Sequence, residues 1–267
     1  MALRPFIKTL WFSDESARAD NGRIARERVL PTGMMSLVFR ISDHPLRLFD
    51  VNHVTESRMV GHAIVGGARA SYYVRDVSQP TRSVGAQLHP GASALLLGAP
   101  AGELAEQHTR LDDLWGRAAD EARERLSLAG SPETALDLLQ VLLTARLPKV
   151  RGIHPAIAHA LARFSTTSHV RQVVKESGYC HRRFVALFRE SVGLLPKVYC
   201  RVQRFQAAVE QIAAEPQVPW ASLAVAFGYS DQAHFTRDFR AFTGVSPGIY
   251  RRLRPAAKNH VRIDLNQ

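Results

Sequence analysis

Two short stretches of this 267-residue chain set side chains that can read base edges at helical spacing. One offers His181, Arg182, Arg183 and Arg189, and the other offers Gln232, Thr236, Arg237 and Arg240. An arginine fork can donate two hydrogen bonds to the O6 and N7 of guanine. A glutamine carboxamide can donate and accept across the N6–N7 edge of adenine. The same residues could equally be the solvated polar faces of two αα-hairpins in an ordinary bundle.

Other chemistry is poorly supplied. His44, His53, His62 and His89 fall in a β-rich region, and a barrel holding them could bind metal, but no two stand at a tight ligand spacing. Asp112-Asp113 suits the acidic first turn of a helix better than a catalytic pair. No glycine-rich phosphate loop or nucleophile elbow is present. Cys180 and Cys200 form no secreted disulfide framework and suit packing in a reduced protein. No catalytic residue, metal or cofactor is expected. A DNA-repair methyl acceptor would need an activated cysteine, and neither has a matching motif.

The elements that must carry the polar residues are written twice. "GYCHRRFVALFRESVGLLP" runs from Gly178 to Pro196, and "GYSDQAHFTRDFRAFTGVSP" runs from Gly228 to Pro247. In each, a short helix ends at a Gly that permits a left-handed turn, and a second helix buries Phe184, Leu187 and Phe188, or Phe235 and Phe239. A further Gly ends that helix, with Pro three residues on. This is the helix-turn-helix plan, whose second helix enters the major groove. Between the copies, Pro196–Ala214 reads as an unbroken helix of about 28 Å, comparable to the roughly 34 Å between successive major grooves on one DNA face.

The stretch "GYSDQAHFTRDFRAFTGVSPGIYRR" resembles the signature of the AraC/XylS family of bacterial transcription regulators, and the resemblance covers roughly Ala156 to Arg254. It implies an all-α DNA-binding domain of two helix-turn-helix units joined by a linker helix, with double-stranded operator DNA as partner. By position, the family's base-facing sites fall at Arg182, Val185 and Ala186, and at Gln232, Ala233, Thr236 and Arg237. Phosphate contacts are implied for nearby basic residues, Lys197 among them. Three departures stand out. Val174 replaces a usual Ala, Cys180 replaces a usual Ser cap, and Val185 with Ala186 can touch a thymine methyl but cannot donate a hydrogen bond. An architectural DNA binder or a DNA-repair protein sharing this fold is the alternative.

Charge divides the chain as the repeat does. Residues 1–149 hold 18 Lys and Arg against 17 Asp and Glu, a balance of +1, while residues 150–267 hold 17 against 7, a balance of +10. A basic half suits a polyanion. The near-neutral half is β-rich at its start. In "MMSLVFRIS", Leu37, Phe39 and Ile41 share one face while Ser36 and Arg40 share the other. From Pro90 the period turns helical. "LDDLWGRAADEARERLSL" reads as one helix, and "SPETALDLLQVLLTARL" as another with Ser131 as N-cap. After Pro155 everything reads as helical, with Ser168 able to cap one helix.

The expected fold is therefore an α+β domain, a small β-rich barrel or sandwich-like sheet plus helices, followed by the all-α domain. The expected divisions are 1–147, a linker at 148–155, 156–254, and a tail at 255–267. "RVLPTGMMSLVF" and "VGAQLHPGASALLLGAPAGELAEQHTRLDDLWG" resemble a poorly characterised N-terminal module of some regulators of the family. That implies a small-molecule effector or dimerisation. Trp11, Arg40, Tyr72 and Tyr73 could line a pocket, with core or surface placement as the alternative for each. A homodimer could form through Leu136, Leu139 and Leu143 if that stripe is left exposed; otherwise it covers the sheet. No apolar run reaches the roughly 18–20 residues that span a bilayer, and a cytoplasmic protein with no membrane partner is expected.

Overall fold

The structure, a computed structural model, describes residues 3–16, 25–51, 53, 55–147 and 152–263. Of the expected linker, 148–151 lie outside the described residues, as do 264–267 of the tail.

Eight strands open the chain: β1 (Ile7–Asp14), β2 (Arg26–Val29), β3 (Ser36–Arg40), β4 (Leu46–Phe49), β5 (Ser57–Gly61), β6 (Ala63–Gly66), β7 (Tyr73–Asp76) and β8 (Arg82–Leu88). Then come α1 (Ser93–Leu97), α2 (Ala101–Leu104), β9 (His108–Arg110), α3 (Asp112–Trp115), α4 (Arg117–Ser127) and α5 (Pro132–Arg146). The second half holds α6 (Pro155–Phe164), α7 (Val170–Glu176), α8 (His181–Val192), α9 (Pro196–Ala214), α10 (Trp220–Ala226), α11 (Gln232–Thr243) and α12 (Pro247–Leu253), and then β10 (His260–Ile263).

The strands form two antiparallel five-stranded sheets, ordered β1-β8-β3-β6-β9 and β10-β2-β7-β4-β5. Period-two alternation gives the first sheet two different faces. Leu37, Phe39, Val84, Ala86 and Leu88 are buried in one core with Leu111, Trp115, Ala119, Leu126, Leu139 and Leu143, because α4 and α5 pack over that face. Each large side chain so buried stabilises the fold by about 1.5–3 kcal/mol. Leu139 and Leu143 are fully buried and Leu136 is half-buried against the same core, so this stripe covers the sheet. The other face, with Thr9, Trp11, Ser13, Ser36, Val38 and Arg40, turns toward the second sheet. Gly85 allows the Trp11 ring to lie flat there, since a Cβ would stand 2.5 Å from that ring.

Several expectations are corrected. The helix read across residues 111–128 is broken by Gly116, whose φ of +57° ends α3 and starts α4 anew. β9 interrupts the region read as helical after Pro90, and β10 interrupts the region read as helical after Pro155. Both are short strands stabilised by distant partners, β6 and β2. Ser168 does not cap α7; His169 holds the N-cap position without a side-chain bond. Ser131 does cap α5, accepting from Thr134 N at 3.2 Å.

Candidate nucleic-acid interface and interior cavity

The first unit is α7, a turn at Gly178 (φ +74°), and α8; the second is α10, a turn at Gly228 (φ +67°), and α11. Phe184 and Phe188 on α8, and Phe235 and Phe239 on α11, are fully buried. Their rings join aromatic clusters built on α9, where Phe188 meets Tyr199 at 5.7 Å and Phe239 meets Phe205 at 5.5 Å. One rigid helix of 19 residues therefore seats both second helices. With one face of each helix fixed inward, the opposite face is fixed outward.

His181, Arg182, Arg183 and Arg189 are exposed on α8, and Lys197 is exposed at the start of α9. Gln232, Ala233, Arg237 and Arg240 are exposed on α11, while Thr236 is half-buried. Among the described residues, the cations Arg182, Arg183, Arg189, Lys197, Arg237 and Arg240 have no carboxylate within ion-pair distance. Other arginines nearby are committed to the scaffold. Arg201 on α9 donates to buried Asp238 on α11 at 2.7 Å. Arg204 donates to Gly228 O at 2.9 Å and lies 4.5 Å from the Tyr229 ring, which pins the second turn. Arg251 lies over Trp220 at 3.4 Å and donates to Val218 O. In the first unit, Arg163 and His159 of α6 hold Glu176 of α7.

The two helix starts differ. Asp231 caps α11, its carboxylate accepting from His234 N at 2.7 Å. Cys180 occupies the same place on α8 and makes no cap bond, which agrees with its expected weakness. Cys180 is exposed rather than packed, whereas Cys200 is buried and burial pushes its thiol up to about 11.

The halves are in contact. Gly102 of α2 lies against the backbone of Arg189 and Glu190 on α8. Gln203 and Gln206 of α9 donate to the carbonyls of Thr32 and Pro31. Tyr72 packs on Gly244, so it is an interface residue and does not line the cavity. β10 then joins the second sheet through β2, with Val261 fully buried.

Between the sheets lies a cavity of about 900 Å³. Trp11, Arg40 and Tyr73 line it, and so does the segment 253–262, apart from Lys258 and Val261. Its charged wall was not apparent from sequence, although the polar Ser36/Arg40 face was. Arg75 holds Glu15 at 2.9 Å and Glu27 at 2.6 Å, and His260 Nδ1 stands 2.8 Å from the same Glu27 carboxylate. Burial alone would raise the Glu27 carboxyl, but the bonds and charges of His260 and Arg75 outweigh it and hold it at about 2. Burial, aided by the charges of Arg69 and Arg58, drives His108 down to about 3, so it is neutral near neutral pH. His44, His53, His62 and His89 do not converge, and among the described residues no cluster of His, Cys, Asp or Glu could hold a metal. Nor is any described helix long and apolar enough to cross a membrane.

Residues 173–253 match a helix-turn-helix domain family, and residues 1–110 match a domain of unknown function (DUF6597). The chain is 37% identical over 68 residues to LumQ of Photobacterium leiognathi, named as a probable transcriptional regulator. The match takes in 26% of this chain and 27% of LumQ, so the chain spans about a quarter of that relative's length. Among solved structures, ToxT from Vibrio cholerae aligns with 95% of this chain and 100% of its own, with a TM-score of 0.50 and 10% identity. At that identity the likeness is one of fold.

Proposed function

We propose, from the premise that this chain belongs to the AraC/XylS family of transcription regulators, that it binds specific double-stranded DNA and controls transcription in response to a small molecule. Two recognition helices, α8 and α11, would enter successive major grooves. The observation that carries this reading is the pair of outward faces, whose unpaired cations and Gln232 stand opposite buried phenylalanines on one strut, α9. Arg182, Gln232, Thr236 and Arg237 would meet base edges. Arg183, Arg189, Lys197 and Arg240 would meet phosphates, which position the protein without reading sequence.

The cavity supports the small-molecule part. At about 900 Å³ it falls within the usual range for ligand sites, and part of its wall belongs to the segment that follows α12. Anything filling it would touch the N-terminal sheets and the chain just beyond the helix-turn-helix units at once. Selection of bound sequences from random duplex DNA tests the proposal. A recovered consensus with two half-sites about one helical turn apart is expected. Retention of unrelated DNA with equal strength would instead favour an architectural binder, and transfer of an alkyl group from DNA to the protein, seen by intact mass, would favour repair.

A further inference from the structure

The cavity wall holds a buried charge that has no ion-pair partner among the described residues. Arg40 is 5% exposed and lines the space between the sheets. Its Nε donates to His44 O at 2.7 Å. Among the described residues no carboxylate lies within ion-pair distance of its guanidinium, and its terminal nitrogens have no acceptor. Of the other four arginines of the wall, Arg254 and Arg262 are exposed to solvent, and the two half-buried ones are occupied. Arg75 has Glu15 and Glu27, and Arg69 donates to Glu106 O at 2.6 Å and stands 3.1 Å from His108 Nδ1. A buried cation without an ion-pair partner is costly to a protein. Burial and the Arg75 charge, only partly offset by the more distant carboxylates of Glu15 and Asp76, lower Arg40 to about 10, which still leaves it protonated at neutral pH.

We infer that this cavity is the binding site for a small organic monoanion whose carboxylate pairs with the free terminal nitrogens of Arg40. One buried cation without an ion-pair partner matches one negative charge, while exposed Arg254 and Arg262 are satisfied by solvent, and an arginine fork suits a planar carboxylate. The ligand is organic because the cavity is far larger than an inorganic ion and its wall is partly hydrocarbon, with Trp11, Val38, Leu46 and Ile64 on the side of the sheets. The inference rests on the reading of the cavity as the effector site, and it names the effector's chemical class.

The test uses the full chain and a matched pair of probes, 2-naphthoate and its neutral isostere 2-naphthamide, titrated by calorimetry. Saturable binding of one naphthoate per chain is expected, about 10- to 100-fold tighter than naphthamide. Arg40→Met should abolish that preference while leaving the melting temperature of the unliganded chain unchanged or higher, because the substitution removes an unpaired buried charge. Arg40→Lys should keep part of the preference. Equal binding of the two probes, saturable binding of neither, or a preference that survives Arg40→Met overturns the inference. If Arg40→Met fails to fold, the comparison of the two probes on the unmodified chain decides alone. A DNA-retention assay on the same samples separates the two readings. Lost DNA binding with intact anion preference would sink the regulator proposal only, and the converse would sink this one only.

Discussion

Arg237 stands exposed on α11, five residues beyond Gln232, and among the described residues no carboxylate lies within ion-pair distance to compete for its guanidinium. If it reads a base, Arg237→Ala will cost about 1–3 kcal/mol at the selected site and relax one position of the consensus. Uniform weakening on all sequences, with a shallower salt dependence, would mark a phosphate contact instead. Inside the cavity, Glu27 makes a different prediction. Its folded value of about 2 lies below its ordinary 4.5, so its contribution is complete above about pH 4.5 and is lost as the pH falls toward 2. The size is roughly 3 kcal/mol. Denaturant titrations across that window should show a decline that Glu27→Gln largely removes. The outward-facing residues of α8 and α11 were legible in the sequence because each stretch alternates them with phenylalanine at helical spacing. Glu15, Glu27, Arg75 and His260 were not, because they meet only when strands far apart in sequence are brought side by side.

The helices beneath these residues were legible for a local reason: their ends are signalled within a few residues. Ser131 before Pro132, and the glycines at 178, 193, 228 and 244 with positive φ, mark starts and stops without reference to the rest of the chain. The weak start of α8 is therefore improvable. Cys180→Asp should stabilise the chain by about 0.5–2 kcal/mol by capping α8 as Asp231 caps α11, and urea unfolding at neutral pH would measure it. An unchanged midpoint would mean that α8 owes its stability to its contact with α2. Short strands carry no such local signal. β9 and β10 have three and four residues, and each exists because a partner strand satisfies its backbone. Gly116 was misjudged for a related reason, since a stripe of apolar residues continues across the break while the backbone reverses there.

At the scale of the whole molecule, the charge division separates a sheet-rich half from a helical one, but charge says nothing of how tightly they join. The contact runs through Gly102 against α8, Tyr72 against Gly244, two glutamines of α9, and β10 against β2. Tyr250 Oη also donates to Lys258 O at 2.6 Å, so the segment leading into β10 is tied to α12 before it reaches the sheet. Val261→Asp puts a charge where there is no solvent. It should release β10 and speed amide exchange in β2, with the exchange of α9 least affected. If β2 stays protected, the sheet does not depend on this strand.

Glu27 and His260, which meet across β2 and β10, are separated by 233 residues. A ribosome adding about 5–20 residues per second needs roughly 10–50 s to travel between them. For all that time β2 has a bare edge, of the kind that recruits other strands. The chain is thus most vulnerable while it is being made, and its yield should depend more on the pace of translation than its heat resistance would suggest.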